Sequence, residues 1–331
     1  MGQQLRLAGR KVATVPIVAG SFATVDLPRG YDLESVFLRI SASIVISVAS
    51  VTAIRAESPC QLVSRMDLIA DGKTLLYSAP FWHACLGNQA RALTAQGARA
   101  TTPQTAVTAA TYAVEAIGVI DLSSIDCVRP KDSNFRTANL SLLQLRLQFG
   151  AAADTVVIGG ATVAFTGTPV VEVYTSELLE EVDPQTRQLP PIPFLKKVSY
   201  TETAFPSSNV NAEIRLPAGN LIRSVMLRVE GSPTAGEPTA TLLQNMQLVS
   251  GADVRVNLTG PQLRAKNNAD FGSVQAGYYI ADVAALGYPP YRLSELFDVT
   301  RQAEPKAILD ITGGTNVRVQ SVVTEYIPAI S

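Results

Sequence analysis

The side chains best suited to chemistry stand in one short run, Phe81-Trp82-His83-Ala84-Cys85, which holds the chain's single histidine and single tryptophan. A serine or cysteine hydrolase would need His83 as its base, beside Cys85 or a distant serine. Residues two apart on a helix do not share a face, so His83 and Cys85 are badly spaced for a dyad. One histidine cannot supply a multi-histidine metal site, and His83 with Cys85 lacks the further ligands that zinc takes. His83 reads as a packing residue at a domain edge.

Other candidates also have structural readings. Gly159-Gly160 and Gly313-Gly314 lie in strand and turn surroundings, and neither a Walker pattern nor G-x-G-x-x-G occurs. They read as turn glycines. Glu177, Glu180 and Glu181 resemble the paired acids of a glycoside hydrolase only in residue type. They stand beside Pro184, Pro190, Pro191 and Pro193 and read as a solvated linker. Asp67 and Asp71 flank a turn without forming a calcium-loop pattern. One tryptophan supplies few aromatic platforms for sugars or single strands. The expectation is therefore no catalytic, cofactor-binding or metal-binding residue, and no enzyme. The three cysteines, Cys60, Cys85 and Cys127, have no disulfide-framework spacing. They read as buried thiols of a chain that folds in a reducing cytosol.

Composition limits the function classes further. Hydrophobic residues make up 47% of the 331 residues and charged residues 17%, against a usual ~25% charged, which argues against disorder. A net charge of −1 leaves no basic field for phosphates, so direct nucleic-acid binding is not expected. It also leaves little repulsion between copies. Met1-Gly2-Gln3-Gln4-Leu5-Arg6 has no apolar signal core. The stretch from Ile40 to Ile54 is shorter than the ~20 residues of a membrane helix. Serines interrupt it, so it reads as strand.

The elements that must carry these residues are strands, and they occur twice. Leu27-Pro28-Arg29-Gly30 matches Leu216-Pro217-Ala218-Gly219 at an offset of 189, and from Leu27 to Ile40 seven of fourteen positions are identical. Val63-Ser64-Arg65-Met66-Asp67-Leu68-Ile69 then falls on Leu243-Gln244-Asn245-Met246-Gln247-Leu248-Val249 at an offset of 180, and Pro80 meets Pro261. Arg10-Lys11-Val12 resembles Lys196-Lys197-Val198, and Val171-Glu172-Val173-Tyr174 resembles Val323-Thr324-Glu325-Tyr326. Matches of this length in one order indicate a duplicated domain, since solenoid units repeat every ~20–50 residues. The expected domains are 1–180 and 181–331. The seam holds a short helical turn and a proline-stiffened linker at 181–194.

Asp71-Gly72, between Met66–Ala70 and Lys73–Tyr77, predicts a hairpin, because a type I′ turn needs positive φ at both central residues. Ser250-Gly251-Ala252-Asp253 predicts a longer hairpin loop at the matching place. Leu143 to Phe149 alternates, so its leucines and phenylalanine share one face. Helical signal is thin. Pro80 to Leu93 is the one candidate, with Phe81, Cys85 and Leu86 apolar. The Ala- and Thr-rich stretch near 88–111 reads as a loop excursion of the first domain. Several short strands in ~150 residues suggest an all-β sandwich or jelly roll.

Two tandem strand-rich domains, the duplicated Leu-Pro-x-Gly motifs, the Asp71-Gly72 hairpin and the linker from Leu178 to Phe194 resemble one family over about Arg10 to Tyr326. It is the double jelly-roll major capsid proteins of the tectivirus–adenovirus lineage, particularly the small, tailless, internal-membrane bacteriophage type. The resemblance implies two eight-stranded jelly rolls, a homotrimer forming a pseudo-hexagonal capsomer, and an icosahedral virion assembled in the host cytoplasm. It further implies partners among minor capsid or penton proteins and contact with internal membrane lipids. Two other readings stay open: a tandem β-sandwich carbohydrate-binding or adhesive surface protein, and a bicupin-type jelly-roll enzyme. The first predicts a secretion signal and exposed aromatics, the second a histidine-rich metal cluster.

Overall fold

The structure, a computed structural model, describes residues 5–47, 52–55, 57–85, 106–107, 109–123, 133–158, 162–179, 194–231, 234–272, 274–283, 296–300 and 304–328. Leu86, most of the 88–111 excursion, Cys127, Gly159-Gly160, Glu180, Glu181 and the linker up to Pro193 lie outside the described residues. The chain divides into two compact units, with the boundary between Pro193 and Phe194.

The first unit is built on β1 (Leu5–Pro16), β2 (Phe22–Asp26), β3 (Asp32–Ile46), β4 (Val63–Ala70), β5 (Thr74–Ala79), β6 (Ala110–Asp121), β7 (Leu143–Phe149) and β8 (Val170–Leu179). The second is built on β9 (Phe194–Ala204), β10 (Asn209–Arg215), β11 (Leu221–Gly231), β12 (Leu243–Ser250), β13 (Asp253–Thr259), β14 (Tyr278–Asp282), β15 (Lys306–Ile311) and β16 (Arg318–Pro328). Antiparallel pairing in the first unit runs β1-β8-β3-β6 and β2-β7-β4-β5. In the second unit it runs β9-β16-β11-β14 and β10-β15-β12-β13. Each strand of the first unit has a counterpart eight labels later, in the same place in its sheet. Two four-stranded sheets of this order, closed over one core, are a jelly roll.

Side-chain alternation builds each core. Val36, Leu38 and Ile40 of β3 are buried, and so are their counterparts Val225, Leu227 and Val229 of β11. Leu143, Leu145, Leu147 and Phe149 of β7 are all buried, as their alternation requires. The Leu-Pro-x-Gly motif sets the approach to these central strands. Leu27 N–H donates to the Leu143 carbonyl, and Leu216 N–H donates to the Pro305 carbonyl, both at 2.9 Å. Gly30 and Gly219 then take φ of +110° and +84°, which L side chains rarely adopt.

The hairpins differ from expectation in one respect. Asp71 and Gly72 have φ of 51° and 69°, both positive as a type I′ turn needs. Asp71 also fastens the turn to the neighbouring chain: its Oδ1 accepts from Ser141 N–H at 2.7 Å, Ser141 Oγ at 2.8 Å and Leu142 N–H at 3.1 Å. The second hairpin is tighter, not longer. Ser250 pairs with Asp253, leaving only Gly251 and Ala252 in the loop, whereas Ala70 first pairs with Thr74.

Three further expectations are corrected. The outer repeat matches are out of register. Ile40 pairs with Val171, and its counterpart Val229 pairs with Val319. Val171 therefore corresponds to Val319, not Val323. By the same ladders Arg10, opposite Thr175, corresponds to Ser199, opposite Val323. Second, residues 176–179 are not a helical turn: β8 continues to Leu179, and Glu177 is buried. Third, the loop excursion does not reach 111, since β6 begins at Ala110 and a short strand Ala106–Val107 pairs with Thr52–Ile54.

Of the helix expected from Pro80 to Leu93, residues 81–85 are helical, and 86–93 lie outside the described residues. At the matching place the second unit carries a full helix, α1 (Gly260–Phe271), with Pro261 in its first turn. Thr259 Oγ1 accepts from Gln262 N–H at 3.4 Å, while Gln262 Oε1 accepts from Thr259 N–H at 3.0 Å, a capping box.

If the two cores are separate and equivalent, matched truncations cost alike. Leu38→Ala and Leu227→Ala should each destabilise their own unit by about 2–5 kcal/mol. Denaturant unfolding of each full-length variant should show one transition moved and the other in place.

Candidate functional site

The chemistry-bearing run lies where β5 leaves its sheet. Tyr77 comes from the end of β5, and the helical residues 81–85 follow Pro80. Phe81 and Ala84 press against β6 so closely that a Cβ on Gly118 would sit 3.0 Å from Ala84 Cβ and from Phe81 Cζ. His83 is buried, and its Nδ1 lies 2.9 Å from the Tyr77 hydroxyl. The Trp82 ring meets the imidazole edge-on, with centroids 6.0 Å apart. Burial, and then the nearby Cys85, push the Tyr77 hydroxyl well above its ordinary pKa, so it stays protonated. Cys85 turns elsewhere: its Sγ donates to the Ile117 carbonyl at 3.2 Å and lies 3.6 Å from Cys60 Sγ. His83 and Cys85 thus meet different structural partners, as their spacing suggested. Among the described residues no three His, Cys, Asp or Glu side chains converge as a metal site requires, and no helix is long and apolar enough to cross a membrane.

The outer faces of the central sheets carry the charge. Four side chains on four successive strands form one ladder in the first unit. Lys11 (β1) meets Glu172 (β8) at 2.6 Å, Arg39 (β3) lies 3.4 Å from the same carboxylate, and Arg39 also pairs with Glu115 (β6). The hydrogen bond from Lys11, then that from Tyr174, holds the Glu172 carboxyl below its ordinary pKa. The same contact raises Lys11, and Glu115 raises Arg39.

The duplicate face differs. Arg228, the counterpart of Arg39, has a side chain 0% exposed against 43% for Arg39. It pairs with Glu230 and lies 3.3 Å from the Tyr278 hydroxyl. Arg223 and Asp282 form another buried pair at 3.1 Å. One duplicated arginine therefore serves an open face in one unit and an interior one in the other.

Both units also bury a glutamate at the same ladder position. Glu177 pairs across to Leu33, and Glu325 to the Leu33 counterpart Ile222, each beside a register shift. Thr175 Oγ1 donates to Glu177 at 2.5 Å, and Arg10 lies 3.7 Å away. Asn220 Nδ2 donates to Glu325 at 2.5 Å, and Lys197 lies 3.1 Å away. Glu177 is thus a strand residue and no part of a solvated acidic linker. The alternation Val171, Val173, Thr175, Glu177 carried that signal. Gly313, read as a turn glycine, marks a close approach: a Cβ there would lie 2.0 Å from the Ser207 carbonyl carbon.

On the second sheet of the first unit, an open groove of about 370 Å³ is lined by Phe22, Arg65, Asp67, Arg146 and Gln148. Phe22 is 63% exposed, with the Arg146 guanidinium 4.5 Å from its ring centre. The Arg65 guanidinium is held by Asp67 at 3.0 Å. This is a polar sheet surface with one aromatic edge, and Ser21, which also lines it, donates its hydroxyl to the Val18 carbonyl at 2.8 Å.

In sequence the chain matches no family model and no curated protein. In structure it aligns along almost its whole length with viral coat proteins. The major capsid protein of Sulfolobus turreted icosahedral virus aligns at a TM-score of 0.74 and 17% identity, covering 99% of this chain and 98% of that one. The PBCV-1 virus capsid protein aligns at 0.61 and 13%, covering 98% and 93%. The major capsid protein P2 of bacteriophage PM2 aligns at 0.58 and 12%, covering 99% and 98%. The fold is the double jelly roll of viral major capsid proteins. Within that double jelly roll, the one histidine is buried beside the Tyr77 hydroxyl, and ion pairs mark the outer sheet faces.

The ladder on the first face has a testable pH signature. A carboxyl with a depressed folded pKa contributes stability that is fully present above its ordinary value, 4.5 for Glu172, and is lost as pH falls through the lower folded value. Thermal melts from neutral pH to below pH 4 should show a shallower acid-induced drop for Glu172→Gln than for the parent, with the difference shrinking in high salt.

Proposed function

We propose that the chain is a structural major capsid protein and not an enzyme. One observation carries the proposal: two complete jelly rolls of the same strand order in a single chain, aligning end to end with capsid subunits. Two similar domains per chain, arranged about a threefold axis, give six similar edges, which is what a tile packed among six neighbours needs. Closed rotational symmetry fixes the number of chains. Contacts between tiles can each be modest, because many act together.

On this reading the chain forms a homotrimeric, pseudo-hexagonal capsomer and resides in the virion, with assembly in the host cytoplasm. Minor capsid or penton proteins fill the vertices, and the inner end of the tile faces membrane lipids. A net charge of −1 supports contact with protein and lipid rather than direct genome binding. The excursion that precedes the Ala106–Val107 strand is a candidate outer loop.

Mass measurement in solution tests the assembly. Light scattering after size exclusion should give three times the chain mass of 35.2 kDa without added metal or cofactor. A monomer that binds glycans would instead support the adhesive β-sandwich reading.

A further inference from the structure

We propose that Cys60 and Cys85 form an intramolecular disulfide when the protein meets an oxidising environment. The fold brings their Sγ atoms to 3.6 Å from elements 25 residues apart in the chain. Cys60 opens the 3₁₀ turn Cys60–Leu62, where its N–H donates to the Glu57 carbonyl at 2.8 Å. Cys85 is the last described residue of the helical run that starts at Phe81. A disulfide places the sulfurs ~2.0 Å apart, so a small approach of the two turns closes the bond. The cost is the weak Cys85 hydrogen bond to Ile117.

Accessibility sets the order of events. Cys60 is 5% exposed, whereas Cys85 is only partly buried. The Cys85 thiolate attacks one sulfur of oxidised glutathione, releasing the first glutathione thiolate and leaving a mixed disulfide. Cys60 then attacks the Cys85 sulfur and expels the second glutathione. The two protons lost by the cysteines end on the two glutathiones, and glutathione disulfide accepts the two electrons. The new bond encloses β4 and β5 and ties the helical turn to the start of β4. By the repeat, the matching positions of the second unit are Ala240 and Lys266, so the cross-link belongs to the first unit alone.

The biological consequence rests on the capsid reading. A subunit made in a reducing cytosol would acquire the bond after particles leave the cell, and its first jelly roll would stiffen there. The chemistry itself does not depend on assembly.

The test uses the unassembled full-length chain, treated with oxidised or reduced glutathione, alkylated in denaturant and mapped without reduction. We expect one linked peptide pair carrying Cys60 and Cys85 and two fewer alkylated thiols. The thermal midpoint should rise by several degrees, and dithiothreitol should reverse the rise. Cys85→Ser and, separately, Cys60→Ala should each abolish both the linked pair and the rise. Three thiols still alkylated after oxidation would overturn the proposal. So would a bond to Cys127 or to a second chain. A trimer without the bond would leave the capsid reading intact, and a bonded monomer would leave the disulfide intact.

Discussion

Each half of the chain has to bury the inner faces of two four-stranded sheets against each other, and everything else depends on that closure. The central strand of the first sheet sets it. β3 and β11 each present Val, Leu and a third aliphatic residue at alternate positions to their own core. Each lies between two antiparallel neighbours that fix its register. A slip of one residue would turn Leu38 or Leu227 away from its own core and Arg39 or Arg228 into it. The motif entering these strands limits such a slip. A backbone hydrogen bond pins Leu27 and Leu216, and a positive-φ glycine three residues later turns the chain.

With the cores fixed alike, the two copies diverge on their outer faces. Arg39 remains within reach of water and joins an ion ladder across four strands. Such exposed pairs contribute little each, and salt screens them. Arg228 is wholly buried with Glu230, where losing its partner would cost far more than the pair contributes. The first face can therefore change sequence cheaply, while the second is constrained.

The sequence revealed those parts of the fold that depend on a strict local rule. Asp71-Gly72 announced a turn with two positive φ values. The run Leu27 to Ile40 announced its duplicate without a gap, and the alternation in β7 announced its buried face. The rest depended on ladders, which a sequence does not display. The pairing of β1 with β8 shifts register twice, between Leu7 and Arg10 and between Lys11 and Ala13. The likeness of Arg10-Lys11-Val12 to Lys196-Lys197-Val198 therefore lies about three residues out of the register that the ladders set. Glu177 looked like linker because acids and prolines follow it, yet its parity with Val171 and Val173 puts it inside. Thr259-Gly260-Pro261-Gln262 held a capping box, but the mostly polar run after it lacks an apolar stripe at helical spacing. The spacing of His83 and Cys85 was legible, and in the structure His83 lies against the Tyr77 hydroxyl while Cys85 donates to the Ile117 carbonyl. The proximity of Cys60 to Cys85 was not legible, because a tertiary contact between separate turns creates it.

On the proposed capsid reading, two similar jelly rolls per chain become six where three chains meet. Electron cryomicroscopy of the purified assembly tests that most directly. The account predicts particles with one threefold axis and six jelly-roll towers in a pseudo-hexagonal ring, the first and second units alternating around it. A ring of any other order, or two jelly rolls with no symmetric partners at the same concentration, would contradict it.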